Sequence, residues 1–219
     1  MFASIISHFS VADKLVSFIP ILFLLSLLTA KENQNLLQKD EIIIDSNYTF
    51  EEIFSESQFP EKIRKNLKLV SVEYFSFDDK LHRGQILIHK NLANDIIEIF
   101  KVIKEKKFPV SKVIPINKYN WSDERSMNDN NTSAFNFRYI EGTSKLSSHA
   151  HGRAIDINPR LNPQFKDGKY FPANTSYDIN ITGTIARNSF LVREFTKRGW
   201  KWGGLWRRNK DYQHFEKLN

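Results

Sequence analysis

Hydrophobic and polar positions alternate in two patterns along the middle of the chain. Residues 67–77 (LKLVSVEYFSF) and 84–89 (GQILIH) are rich in β-branched and aromatic residues and flank a turn-like Asp-Asp-Lys at 78–80. This pattern predicts a β-hairpin. Residues 91–107 then place apolar side chains at spacings of three and four, which predicts an amphipathic helix that Pro109 stops.

Weaker patterns predict the remaining elements. Pro60 precedes the basic segment EKIRKNL, which indicates a short helix. Residues 113–116 predict a short strand, and residues 185–198 a second amphipathic helix that ends at Gly199, a favourable residue just beyond a helix. Residues 31–58 are polar and acidic without clear periodicity, and we interpret them as a tether to the folded part.

The N-terminal segment has a composition of its own. Residues 15–30 (LVSFIPILFLLSLLTA) are uncharged, follow Lys14 and precede the polar KENQN. This layout is typical of a secretory signal and is short for a bilayer span. We predict a signal peptide over 1–30, with an uncleaved N-terminal anchor as the alternative. The predicted organisation is therefore 1–30 signal or anchor, 31–58 tether and 59–219 folded domain.

Composition narrows the possible chemistry. The 219 residues are 41% hydrophobic and 26% charged, which is typical of a globular protein. The net charge is +7, but the basic residues are scattered, which favours attraction to an anionic polymer over a nucleic-acid site. The chain has no cysteine, so thiol catalysis, disulfides and Cys-ligated metals are excluded. Any metal must be held by histidines and carboxylates.

One candidate segment is SSHAHGRAIDINP, residues 147–159. The alternation after Gly152 indicates a short strand that places Asp156 between Ile155 and Ile157. A carboxylate in that setting is expected to be partly buried and needs a partner. A divalent cation shared with His149 or His151 would serve, and so would an arginine or backbone donors. Spacing alone leaves these alternatives open.

The second candidate segment is DYQHFE, residues 211–216, which follows the aromatic and glycine-rich WKWGGLW at 200–206. His214 has acids at minus three, Asp211, and plus two, Glu216. A catalytic zinc commonly takes three ligands from His, Asp and Glu and leaves a fourth position for water. Two histidines and one aspartate from the two segments complete such a set.

The two segments resemble a known family. Residues 147–156 fit the pattern Ser-x-His-x-x-Gly-x-Ala-x-Asp of the zinc D-alanyl-D-alanine carboxypeptidase-like metallopeptidases, which include peptidoglycan D,D-peptidases and L-alanyl-D-glutamate endolysins. Residues 199–206 and 211–215 are similar to the second motif of the family. NTSAFNFR, residues 131–138, is similar to the segment that supplies its arginine. The resemblance covers roughly residues 65–216.

The resemblance implies roles for particular residues. Its register assigns zinc to His149, Asp156 and His214. Asp211 takes the place of the catalytic base, with Glu216 as the rival. If 211–216 were a regular strand, Asp211 would point away from His214, so the assignment requires a bend.

Further residues receive roles from the same resemblance. Arg138 supplies a fixed positive charge near the scissile carbonyl, although a surface arginine is the alternative. The residues expected to face substrate are Ser147, His151, Trp202 and Tyr212. The aromatic group of Trp200, Trp202, Trp206 and Tyr212 is expected to divide between core and cleft wall.

The expected fold is α+β, a mainly antiparallel sheet with flanking helices and a zinc site in an edge cleft, as in Hedgehog and D,D-peptidase domains. The expected function is zinc-dependent hydrolysis of peptide bonds in peptidoglycan stem peptides, with a non-catalytic, zinc-stabilised cell-wall binding module as the alternative. A structural protein without metal is a third reading. We expect an exported monomer in the periplasm or cell envelope that binds no nucleic acid and touches the membrane only through an uncleaved N-terminal segment.

Overall fold

The structure, a computed structural model, describes residues 41–55 and 59–218. Residues from Ile42 onward form one compact unit. The predicted signal or anchor, 1–30, lies outside the described residues. Within the described part, no helix has the length and apolar character that a membrane span requires.

A long hairpin forms the largest sheet. Strands β2 (Leu67–Phe75) and β3 (Leu81–His89) pair antiparallel, and β1 (Ile43–Ile44) adds to β3 in parallel. Helix α3 (Ala93–Glu105) packs on β2 through apolar side chains spaced three and four apart, which join the main core. The predicted hairpin and amphipathic helix are therefore confirmed.

The other strands are short and belong to small separate sheets. Strands β6 (Ala154–Asp156), β10 (His214–Glu216) and β9 (Lys201–Trp202) pair antiparallel in that order. Two further pairs are β4 (Lys112–Val113) with β5 (Asn131–Thr132), parallel, and β7 (Gln164–Lys166) with β8 (Lys169–Phe171), antiparallel. The α+β class is confirmed, but the described strands form several small sheets, some pairs of them parallel, instead of one mainly antiparallel sheet.

The remaining helices are short. They are α1 (Phe50–Phe54), α2 (Glu61–Arg64), α4 (Asp123–Asn128) and α5 (Phe190–Thr196), with 3₁₀ turns at Lys90–Leu92, Ile116–Tyr119, Ser148–His151 and Gly203–Leu205. Helix α5 is shorter than the predicted 185–198, because the Ser189 hydroxyl caps it by accepting from the Val192 amide. Of the predicted strand 113–116 only Val113 lies in a strand, β4 (Lys112–Val113), since Pro115 cannot donate to a ladder and a 3₁₀ turn begins at Ile116.

Part of the predicted tether is built into the fold. Strand β1 pairs with the hairpin, and α1 begins with a capping box between Thr49 and Glu52. Ile53 and Phe54 are buried in a second apolar cluster with residues such as Phe135. The tether prediction for 31–58 is therefore wrong for 43–55. Its residues 31–40 and 56–58 lie outside the described part.

Asn158, two residues after Asp156, links its own loop to the loops that contain Pro109 and Gly183. It is fully buried at φ 47°, a left-handed conformation that asparagine tolerates. Its side-chain oxygen accepts from the Ser111 amide at 3.0 Å, and its Nδ2 donates to the carbonyls of Pro109 and Gly183 at 2.8 and 3.2 Å. These bonds hold the chain that follows Asp156 in place.

We predict that Asn158→Ala lowers the free energy of unfolding by at least about 3 kcal/mol. The substitution leaves buried backbone groups without partners, at roughly 1–3 kcal/mol each, and puts alanine in a left-handed conformation. Urea denaturation measures the change. Asn174→Ala is the matched control, because Asn174 has φ 57° but is exposed, so it should lose about 1 kcal/mol. Equal losses in the two variants would contradict the role of the side-chain bonds.

Candidate active site

Asp156 and His214 face each other across two paired strands. They are direct partners in the antiparallel register of β6 and β10, so their side chains lie on the same face. On its other edge Asp156 exchanges backbone hydrogen bonds with Ser133. Main-chain pairing on both sides thus fixes the backbone of Asp156, and the residue is only 6% exposed.

His149 reaches the same point from the 3₁₀ turn at 148–151. The Ser147 hydroxyl accepts from the His149 amide at 3.2 Å and starts the turn. Gly152 ends it at φ 61°, with the position of a Cβ 2.6 Å from Leu67 and 2.7 Å from the His89 amide. Any larger residue would clash there, which explains why a glycine follows His149 by three positions.

The ligand atoms of these three residues converge. Nε2 of His149 lies 3.1 Å from Nδ1 of His214 and 3.3 Å from a carboxylate oxygen of Asp156, and that Nδ1 lies 3.0 Å from the other oxygen. A tetrahedral zinc with bonds of about 2.0–2.1 Å separates its ligand atoms by about 3.3 Å. The buried His149, Asp156 and His214 could therefore hold a metal ion with little rearrangement.

The outer nitrogens of both rings have partners that orient them. Nδ1 of His149 lies 2.6 Å from the Ala134 carbonyl, which can only accept, so Nδ1 carries a proton. Nε2 of His214 lies 3.5 Å from a carboxylate oxygen of Glu216. Acceptors on the outer nitrogen are typical of metal-binding histidines, because they turn the inner nitrogen toward the metal.

The protonation of the cluster fits a site for a cation. Burial alone would lower the pKa of His214, but hydrogen bonds to Asp156 and Glu216 outweigh it and raise the pKa to about 10. Burial would raise the pKa of Asp156, but the charge and hydrogen bond of His149, together with those of His214, hold it below its usual range. The Asp156 carboxylate is thus neutralised by a proton on His214 that a metal ion would displace.

Asp211 lies at the bend that its assignment required. Strand β10 begins only at His214, and residues 212–213 form the bend. Burial first, and then the negative charge of Asp156, raises the pKa of Asp211 to about 6. Its Oδ2 accepts from Nε2 of Gln164 at 3.0 Å, whereas Oδ1 is buried with no hydrogen-bond partner among the described residues. Asp211 therefore presents one free oxygen with raised proton affinity.

Gly203 packs directly against Asp211. A Cβ at Gly203 would lie 2.6 Å from the Asp211 carbonyl oxygen and 2.9 Å from its Cβ. The Asp211 amide also donates to the Gly203 carbonyl at 3.2 Å. The glycine-rich turn at 203–205 thus forms a wall that fixes the position of the acid.

Glu216, the rival base, lies on the outer side of His214. Its hydrogen bond with His214 is the main cause that lowers its pKa. A carboxylate with lowered proton affinity that bonds the outer nitrogen of His214 is suited to orient that ring. The geometry therefore favours Asp211 over Glu216 as the acid that exchanges protons.

Arg138 lies on the segment that also supplies the Ala134 carbonyl. Its own carbonyl accepts from the Ser147 amide at 3.0 Å, which places it beside the turn of His149. Its Nη2 lies 3.1 Å from a carboxylate oxygen of Asp123, and its Nε is buried without a hydrogen-bond partner among the described residues. Arg138 is therefore a half-buried, anchored cation, unlike a freely solvated surface arginine.

The aromatic group divides between core and surface. Trp200 and Trp202 are 2% and 3% exposed and belong to the main core. The Trp206 ring, in contrast, lies 5.4 Å from that of His214, and the Tyr212 ring stacks on Tyr177 at 3.6 Å. Trp206 and Tyr212 thus keep partly accessible surface near the site, whereas little of Trp202 remains for a substrate.

The other two residues expected to face substrate differ in exposure. His151 is exposed at the end of its turn, outside the His149, Asp156 and His214 group. Ser147 is 6% exposed and caps the turn.

The predicted edge cleft is not confirmed, because the metal-binding residues are buried. Sequence patterns gave no signal for the Ala134 carbonyl, Asp123 or Gln164, since these contacts depend on the folded chain.

We predict that the folded chain binds one Zn²⁺ through His149, Asp156 and His214. Elemental analysis after dialysis should find one ion per chain, and none in His149→Ala or His214→Ala. Affinity should rise with pH, because a proton must leave His214 before Nδ1 can bind a metal. His151→Ala is the matched control and should keep the ion. Loss in His151→Ala with retention in His149→Ala would refute the register.

Comparison with known proteins agrees with this site. A family model described as D-alanyl-D-alanine carboxypeptidase matches residues 141–217, which contain the three metal-binding candidates and Asp211. No curated protein and no solved structure matches the chain. Residues 141–217 are thus similar to the D-alanyl-D-alanine carboxypeptidase family of peptidases.

Proposed function

We propose that the protein is a zinc-dependent peptidase that hydrolyses peptide bonds in peptidoglycan stem peptides. One observation carries the proposal: three buried ligand atoms lie within 4.8 Å of one another, and the nearby Asp211 offers a carboxylate oxygen without a partner among the described residues. A metal ion without a nearby base would only stabilise the fold. A metal ion together with a basic carboxylate that has one oxygen without a partner is suited to hydrolysis.

The chemistry divides between the cation and the chain. When bound, zinc supplies Lewis acidity, which polarises a carbonyl and makes water a better nucleophile. Asp211 accepts a proton from the attacking water at Oδ1 and delivers it to the leaving amine. A pKa near 6 suits both steps near neutral pH, since the group can be deprotonated and then reprotonated.

Arg138 contributes positive charge where the carbonyl oxygen becomes negative. Its ion pair with Asp123 and the bond from Ser147 to its carbonyl hold it beside the His149 turn. A charge fixed before the reaction costs no reorganisation during it, which is why such groups stabilise transition states. The substrate-facing roles of Ser147, His151, Trp202 and Tyr212 remain proposals, and Trp206 joins them because of its place beside His214.

Stem peptides fit the charge of the chain. They are anionic, and the net charge of +7 favours their approach. The family is described as acting on D-alanyl-D-alanine, the end of such peptides. We propose that the protein acts as a monomer in the periplasm or cell envelope, reached through the N-terminal segment.

The alternative is a zinc-stabilised binding module without catalysis. That function needs His149, Asp156 and His214 but has no use for Asp211. A buried carboxylate oxygen without a partner costs folding free energy, so a purely structural site would be expected to replace it. The Asp211 oxygen without a partner therefore favours an enzyme over a binding module.

Digestion of purified muropeptides, followed by mass analysis of the products, tests the function. The zinc-loaded protein should release a peptide or amino-acid fragment. Asp211→Asn should lower the rate by roughly a hundred- to ten-thousandfold with one zinc still bound, because it removes the base and keeps the shape. Arg138→Ala should lower it by on the order of a hundredfold.

Glu216→Gln is the comparison variant, because it alters the other acid beside His214. It should reduce activity less than Asp211→Asn does. Near-normal cleavage by Asp211→Asn with an inactive Glu216→Gln would make Glu216 the base. Muropeptide binding without cleavage by the zinc-loaded wild type would favour the binding module.

Export is tested on the protein from its native host. If residues 1–30 are a cleaved signal, intact mass analysis should show a chain that starts near Lys31 in the envelope fraction. An intact Met1 in a membrane fraction would instead support the uncleaved anchor. A full-length chain in the cytosol would contradict both.

A further inference from the structure

Gln164 contacts the proposed base from a separate hairpin. Its Nε2 donates to Oδ2 of Asp211 at 3.0 Å. The main chains of the two residues also form an antiparallel bridge, and the Phe165 amide donates to the Lys210 carbonyl at 2.6 Å. The side-chain bond is therefore made from a backbone that is already held in register with the acid.

This bond selects one oxygen of the carboxylate. The terminal torsion of an aspartate side chain has a broad minimum, so an unattached carboxylate would turn. With Oδ2 held by Gln164, Oδ1 is the oxygen that lacks a partner among the described residues. Gly203 also packs against the Asp211 main chain and restricts its movement.

The kind of donor also matters. A lysine or arginine in the place of Gln164 would favour the charged carboxylate strongly and so reduce its basicity. A neutral amide orients the carboxylate without adding a positive charge.

We propose that Gln164 is a positioning residue that acts through Asp211, holding Oδ2 so that Oδ1 exchanges the proton during peptide hydrolysis. The inference rests on the proposed role of Asp211 as the base. Gln164 itself touches neither the ligand atoms of the metal group nor, in this proposal, the reacting atoms.

The test is Gln164→Met in the zinc-loaded protein, because methionine keeps the length and removes the donor. We expect kcat for muropeptide cleavage to fall roughly ten- to hundredfold, the scale of one hydrogen bond to a charged group, with KM and zinc content unchanged. Gln85→Met is the matched control. Gln85 is a buried glutamine whose amide bonds the Tyr48 backbone, so its loss should lower stability and leave kcat intact.

A double-mutant cycle separates positioning from a structural role. In the Asp211→Asn background, Gln164→Met should cause no further fall in the residual rate, since there is no base left to orient. A fall by the same factor in both backgrounds, or wild-type kcat in Gln164→Met alone, would overturn the proposal. Near-normal activity of Asp211→Asn would instead refute the base itself.

Gln164→Glu provides a second variant should Gln164→Met fail to fold. A glutamate at this position can donate to Asp211 only when it is protonated. Its kcat relative to wild type should therefore be higher at acidic than at neutral pH. A ratio that does not change with pH would show that the donor is irrelevant and would overturn the proposal.

Discussion

The burial of the Asp156 carboxylate is the constraint on which the rest of the site depends. Main-chain pairing with His214 on one side and with Ser133 on the other holds Asp156 where only 6% of the residue is exposed. A buried anion must be neutralised, and the two histidine nitrogens at about 3 Å are the groups that do so. The three side chains that share a proton in the metal-free arrangement also bring ligand atoms within 4.8 Å of one another, close enough to hold a cation. The folded chain therefore favours a positive charge beside the Asp156 carboxylate even before a ligand binds.

Two aspartates in one site have opposite proton affinities because their surroundings differ. Asp156 lies against two histidines, which keep it ionised, whereas Asp211 is buried beside the negative charge of Asp156 and a neutral amide. One acid is thus suited to hold a cation and the other to exchange a proton. Such a separation is how a protein assigns different roles to identical side chains. The difference originates in the neighbouring charges, because two histidines lie beside Asp156, whereas Asp211 is buried near the negative charge of Asp156.

The sequence predicted what is local and missed what depends on distant contacts. The hairpin, the amphipathic helix α3 and the strand that carries Asp156 follow from periodicity, and the placing of His149 relative to Gly152 follows from a motif with a steric basis. The tether expected over 31–58 is a strand and a helix within 43–55, because two short elements that rely on β3 and on Phe135 for their packing show no period of their own. The expected single sheet is several small sheets, because strands of two or three residues are too short to show an alternating pattern in the sequence.

The contacts that orient His149 and Asp211 leave no pattern in the sequence. They are made by a backbone carbonyl, which has no side-chain signature, and by a residue far along the chain. The Ala134 carbonyl that fixes the tautomer of His149 exists on every residue, and Gln164 is 47 positions from Asp211. A bound cation would tie together His149, Asp156 and His214, which belong to segments that meet only in the folded state. Because such a cation binds the folded chain and has no preformed site in the unfolded one, its binding free energy adds to folding stability. A cation bound by Asp156 on β6 and His214 on β10 would therefore also stabilise the pairing of these two strands.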